Sequence, residues 1–124
     1  MSAPAWMGFL LAAAVGAPAR FLVDGWIEDH VGDDFPWGTL VVNLTGCFAL
    51  GVLAGLARSH GLGATPRTII GTGGLGAYTT FSTFTFETVR LVEEGELSFA
   101  FSNIAVSIVL GLAAAAVGIA IVSV

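Results

Sequence analysis

Four stretches of this chain, residues 5–23, 38–57, 68–92 and 97–124, are each dominated by apolar side chains for about 20 residues or more, the length a helix needs to cross the hydrocarbon core of a bilayer. Nothing else in the sequence constrains the fold so tightly. Only 10% of the residues are charged against 56% hydrophobic, whereas a soluble domain carries roughly a quarter charged residues to face water. A chain of 124 residues has too much surface for its volume to hide that apolar material in one aqueous core. A soluble globular domain and a disordered chain are both excluded, and the apolar residues must face lipid. The expected fold is an all-α integral membrane protein, with residues 1–124 forming a single domain of four transmembrane helices and both termini on one side. The third stretch is heavily interrupted. The fourth is the most uniformly apolar, although it holds Asn103, Ser107 and Ser123. Only the connection at 24–37 is long enough to have a shape of its own. Trp6, Trp26 and Trp37 fall near segment ends, where amphipathic rings sit at headgroup level. No basic region precedes the first stretch, so it reads as retained rather than as a cleaved leader.

The charges are as informative by position as by number. Four arginines, no lysine and nine acids give a net charge of −5, which leaves no electrostatic footprint for a nucleic-acid partner. Arg58 and Arg67 lie between the second and third stretches, on the side of the termini, while Arg20 and Arg90 lie on the other. Orientation follows Lys/Arg bias, so an even split gives almost no instruction. All nine acids fall on the Arg20/Arg90 side and read as a solvated face without metal-ligand spacing. A single cysteine, Cys47, excludes an internal disulfide and a cysteine metal cluster.

Seventeen glycines make small-xxx-small spacings common. Gly51 with Gly55, and Gly111 with Ala115, are of the kind that lets helices approach closely in lipid, and they predict tight packing that includes a partner subunit. Two other pattern matches carry nothing. Gly71, Gly73 and Gly76 fit the spacing of a dinucleotide fingerprint, but no strand precedes them and no βαβ unit surrounds them. Asn43-Leu44-Thr45 fits a glycosylation acceptor but sits in an apolar run.

The chemistry concentrates in the third stretch, Gly71-Thr72-Gly73-Gly74-Leu75-Gly76-Ala77-Tyr78-Thr79-Thr80-Phe81-Ser82-Thr83-Phe84-Thr85-Phe86-Glu87. Four glycines and a pair of threonines weaken a helix at its middle, and irregular backbone at membrane depth is tolerated only inside protein or beside a wet cavity. Unwound carbonyls there are a recurrent device for binding cations. The bland alternative is a kinked packing helix whose hydroxyls bond back to their own carbonyls. Asn43 and Asn103 are amides that need partners inside the bilayer, and Asn103, Ser107 and Gly111 recur at helical spacing on one face. No acid or histidine stands at the centre of any span, where proton- or cation-coupled transport normally declares itself. Neutral donors suit a small anion. Phe81 and Phe84, set among hydroxyls, can add the positive edges of their rings.

On these residues the sequence resembles the Fluc, or CrcB, family of fluoride channels. The resemblance rests on Gly16-Ala17-Pro18-Ala19-Arg20-Phe21, on Pro36-Trp37-Gly38-Thr39-Leu40-Val41-Val42-Asn43-Leu44-Thr45-Gly46, and on the run from Gly73 to Phe84 with Glu87. It implies a passive channel of the cell (plasma) membrane that exports fluoride, which enters as HF at acid pH and dissociates in the cytoplasm. It further implies an antiparallel, dual-topology dimer, the second chain being a copy or a related inverted chain, with two pores and a central structural sodium ion. Backbone carbonyls of Gly76 and Thr79 would hold the sodium. Along each pore the resemblance places the Asn43 amide, the ring edges of Phe81 and Phe84, the hydroxyls of Ser82 and Thr83, the positive charge of Arg20 near the vestibule, and Ser107 on the fourth helix. Some family members carry a Tyr and a second Ser where this chain has Asn103 and Gly111, which rank below the third-helix residues.

Two other readings compete. A small multidrug exporter has the same length and helix number but needs a carboxylate in its first span, and no acid precedes Asp24. A non-transporting scaffold leaves the buried amides and the weakened third helix without a role. An enzyme is disfavoured because no base, nucleophile or metal constellation stands at membrane depth.

Overall fold

The computed structural model describes residues 1–123, and every regular element in it is helical. Helix α1 (Ala3–Val31) begins with the Ser2 hydroxyl accepting the Ala5 N–H, an N-cap that satisfies one of the free donors of the first turn. It runs a full 29 residues, past the end expected at residue 23. The segment from Asp24 onward contains no proline and no breaker stronger than Gly25, so the helix stops only at Gly32, whose φ of +105° suits a residue without a side chain. The connection expected at 24–37 therefore shrinks to residues 32–36.

Helix α2 (Trp37–Ser59) and helix α6 (Leu97–Val122) form the most intimate pair. A Cβ on Gly51 would overlap the Ala115 carbonyl, one on Gly118 would overlap the Phe48 carbonyl, and Gly55 faces Ile119 and Val122. Gly111 lies against the Cys47 sulfur. The small-residue spacings on α2 and α6 thus serve each other within one chain. Removing side chains is what allows dispersion contacts to form where lipid supplies no hydrophobic drive. His60, just past α2, meets the Val122 carbonyl at 2.7 Å and ties the two helix ends together.

Between them the chain crosses back in pieces: α3 (Ala64–Arg67), a π-helical stretch (Thr68–Leu75), α4 (Gly76–Tyr78) and α5 (Phe81–Glu93). The wide π turns carry the glycines, and α1 packs onto them. Gly16 accommodates the Gly74 carbonyl, and Gly73 lies beneath Phe9. Three helices, α1, α2 and α6, are each long and apolar enough to cross a membrane. The pieces of the third segment are individually too short.

Large apolar side chains point outward along these helices. Phe21 is 78% exposed and Leu112 70%, while the fully buried set contains Val42, Leu91 and Asn103. A surface so apolar has no stable home in water. The acids gather at one end, where Asp24, Glu28, Asp33 and Glu87 share a small hollow with Arg90. Arg58 and Arg67 are exposed at the end that holds the close of α2 and α6.

Candidate functional site

The helical path stops between α4 and α5. Thr79 (φ −79°, ψ 161°) and Thr80 (φ −146°, ψ 120°) are both extended; the Thr79 N–H still donates to the Leu75 carbonyl at 2.9 Å, but the N–H and carbonyl of Thr80 must find partners outside a helix. Asn43 on α2 supplies them. Its Nδ2 donates to the Thr80 carbonyl at 2.9 Å, and its Oδ1 accepts the Thr80 N–H at 2.8 Å. A side-chain amide thus replaces a ladder bond on both edges of one residue. The Thr80 hydroxyl then caps α5, accepting the Thr83 N–H at 3.1 Å and donating to Thr83 Oγ1 at 3.0 Å.

These bonds free two particular carbonyls. In a continuous helix the Thr80 N–H would serve Gly76 and the Thr83 N–H would serve Thr79, four residues back. Asn43 diverts the first and Thr80 Oγ1 the second. Hard carbonyl oxygens without a helical donor are suitable ligands for a hard cation, so the residues present fit a sodium ion.

A cleft of about 410 Å³ opens at the interruption and brings together Asn43, Gly76, Thr79, Phe81, Phe84 and Ser107. The Phe81 and Phe84 rings stand 6.0 Å apart with a tilt of 41°, and Phe81 is 77% exposed. Among the described residues no carboxylate, guanidinium or imidazole lines the cleft. Among the described residues one Asn43 N–H remains uncommitted after the bond to Thr80, and aromatic rings such as those of Phe81 and Phe84 are electropositive at their edges. The space can therefore host a small anion among weak neutral donors.

Arg20 and Thr83 lie elsewhere, in a neighbouring pocket of about 100 Å³ that also includes Asp24 and Thr39. Within it Arg20 Nε is buried without a hydrogen-bond partner among the described residues. Thr80 borders both spaces. Ser82 is exposed and lines neither; its hydroxyl lies 3.3 Å from Thr80 Oγ1. Of the residues expected at the site, six thus share one cleft, two share the adjoining pocket and one stands at the rim. Sequence reasoning counts Thr80 in the hydroxyl-rich track without giving it a role at the site, and passes over Cys47 as a lining residue. The repeated threonine was the available signal for Thr80, whereas Cys47 looked like any small residue of an apolar run. Thr39, buried near the start of α2, donates its hydroxyl to the Glu87 carboxylate, a link that neither residue announces in sequence.

Several hydroxyls do serve the bland purpose. Those of Thr79, Thr85 and Thr88 bond to carbonyls three or four residues back. The Thr45 hydroxyl does the same on α2 and also meets the Tyr78 hydroxyl at 2.8 Å.

Residues 7–119 match the family described as CrcB-like protein, Camphor Resistance (CrcB). Among curated relatives, "Fluoride-specific ion channel FluC 2" of Mycobacterium tuberculosis is 49% identical over 113 residues, covering 91% of this chain and 86% of the relative. "Fluoride-specific ion channel FluC 1" of Rubrobacter xylanophilus is 44% identical over 117 residues, with 94% and 92% covered. The protein of the same name from Streptomyces avermitilis is 40% identical over 114 residues, with 92% of each chain covered. These names describe channels, not enzymes. With three long apolar helices and a match that takes in every residue placed at the cleft, the chain is a multi-pass membrane protein that belongs to the CrcB-like family.

Proposed function

We propose that the chain is a passive, fluoride-selective channel that lets cytoplasmic fluoride out of the cell, working as an antiparallel dimer with two pores and a central structural sodium ion. The observation that carries the reading is the cleft itself, in which an amide, hydroxyl side chains and two aromatic rings converge beside an interrupted helix and, among the described residues, no charged side chain intrudes. Fluoride is small and holds its water tightly, so conduction needs donors that replace water without trapping the ion. Asn43 offers its free N–H, Phe81 and Phe84 offer ring edges, and Ser107 continues the path along α6. Arg20, with the hydroxyls of Thr83 and Ser82, draws the anion to the mouth, and Thr80 joins the two spaces. The pieces from α3 to α5 act together as the third of four crossings, with the interruption at membrane depth. Residues 1–124 then form one transmembrane domain.

The carbonyls of Gly76 and Thr79 would hold the sodium, which supplies a fixed positive charge and links the two chains. The partner is a second copy or a related inverted chain, in contact with lipid all round. An exporter of organic cations fits less well, because the cleft has no carboxylate to meet one.

Purified protein in liposomes should release fluoride at least about 100-fold faster than chloride, with no proton requirement, a ratio that corresponds to roughly 2.7 kcal/mol of discrimination. Preparing the protein with sodium replaced by a bulky organic cation should abolish that release. Equal release of the two anions, or none with sodium present, rejects the channel.

A further inference from the structure

Asn103 is the one amide on α6, and a membrane helix cannot leave it unpaired. It is 2% exposed, set between α6 and α5 rather than along the cleft. Its Nδ2 donates to Thr88 Oγ1 at 2.9 Å. Thr88 in turn donates its hydroxyl to the Phe84 carbonyl at 2.8 Å. The order of donors is forced, because the single hydroxyl hydrogen of Thr88 is spent on Phe84 and its lone pair is left to accept.

Thr85 provides the contrast. Its hydroxyl bonds to the Phe81 and Ser82 carbonyls, and among the described residues no other helix donates to it. Thr88 alone among the back-bonded threonines of α5 is gripped from α6. The two asparagines therefore hold α5 from different helices on either side of its aromatic pair. Asn43 fastens Thr80, the residue before Phe81, and Asn103 fastens Thr88, one turn beyond Phe84. Leu91, 1% exposed, buries the next turn. The rings that face the cleft sit on the span between these two anchors.

We propose that Asn103 is a positioning residue that acts through Thr88 on the Phe84 backbone and so sets the attitude of the Phe84 ring at the wall of the cleft. This rests on the channel reading for its consequence, since ring-edge placement decides how well an anion is met. An aromatic edge offers a favourable field over a narrow range of angles, and small misplacements of a binding group carry large effects on rate.

The test uses Thr88→Val, which removes the hydroxyl at constant shape, Thr88→Ser, which keeps it, and Asn103→Leu. In liposomes containing fluoride and chloride, Thr88→Val and Asn103→Leu should each lower fluoride release about tenfold and narrow the fluoride-to-chloride ratio, and the double variant should lose no more than either alone, as members of one relay do. Thr88→Ser should release fluoride within about twofold of the parent. A second readout is independent of transport: the carbonyl 13C shift of Phe84 in lipid should move in Thr88→Val and in Asn103→Leu and stay in place in Thr88→Ser. An unmoved Phe84 carbonyl in Asn103→Leu, additive losses, or a moved carbonyl with parental release and selectivity each overturns the positioning role. A parent protein that releases no fluoride rejects the channel instead, and the carbonyl shift then still decides whether the relay exists.

Discussion

Asn43 meets two demands with one amide, pairing both sides of the Thr80 peptide and keeping one N–H for a visitor. Leaving a buried peptide group unpaired costs about 1–3 kcal/mol, so Asn43→Ser should lower both thermal stability in detergent and fluoride release. Phe81→Ile should separate these effects. The ring is mostly exposed in the single chain, so its loss should reduce fluoride release by about tenfold or more while elution as an assembled protein stays unchanged; parental release in both variants would remove the assigned pore. The sequence made the hydroxyl-rich run from Thr79 to Thr83 legible as a polar track. It could not say which hydroxyls were free. Thr79 spends its own on Leu75, while Thr83 accepts from Thr80 and keeps its hydrogen. That division depends on partners from other helices and on local backbone shape, which spacing alone does not encode.

At the level of elements, the glycines and the interruption prove to be separate devices. The glycines of residues 71–74 lie in a π-helical stretch and admit α1, with Gly16 against Gly74. The chain departs from helix only at Thr79 and Thr80, where Asn43 offers an alternative. Composition revealed that the third segment was weak, but the place where it yields is fixed by a side chain 37 positions away. The overlong α1 has the opposite cause. The polarity of its acidic, exposed end suggests a loop, yet nothing there forbids helical backbone until Gly32. The α2–α6 seam yields a direct prediction. Gly118→Val would drive a side chain into the Phe48 carbonyl, so the unfolding midpoint in detergent should fall, consistent with about 1–3 kcal/mol of overpacking. Gly25→Ala, where a Cβ would meet nothing, should leave it unchanged or raise it.

Taken whole, the molecule is sorted by charge along its length. The acids, with Arg20 and Arg90, occupy one end; Arg58 and Arg67 stand exposed at the other, with no acid near them in sequence. The position of the acids along the chain was enough to anticipate this, because the alternating direction of the helical segments brings them to one end. What sequence could not supply is how far the arginines offset each other. Arg90 lies 3.6 Å from Glu94, the residue that caps its helix, and Arg20 is partly buried beside Asp24, so the acidic end presents little positive charge to set against Arg58 and Arg67. Such a chain carries a permanent dipole along the membrane normal. Two identical chains inserted in opposite senses cancel it, and their summed current should be the same under either sign of voltage. A chain held in one orientation beside a differently charged partner leaves a remainder and should rectify. Single-channel current–voltage curves in a planar bilayer, taken from the protein isolated from its own membrane with any partner that copurifies, therefore read its partnership directly: a symmetric curve marks a pair of like chains, and an asymmetric one, reversed when the orientation of insertion is reversed, marks a mixed pair.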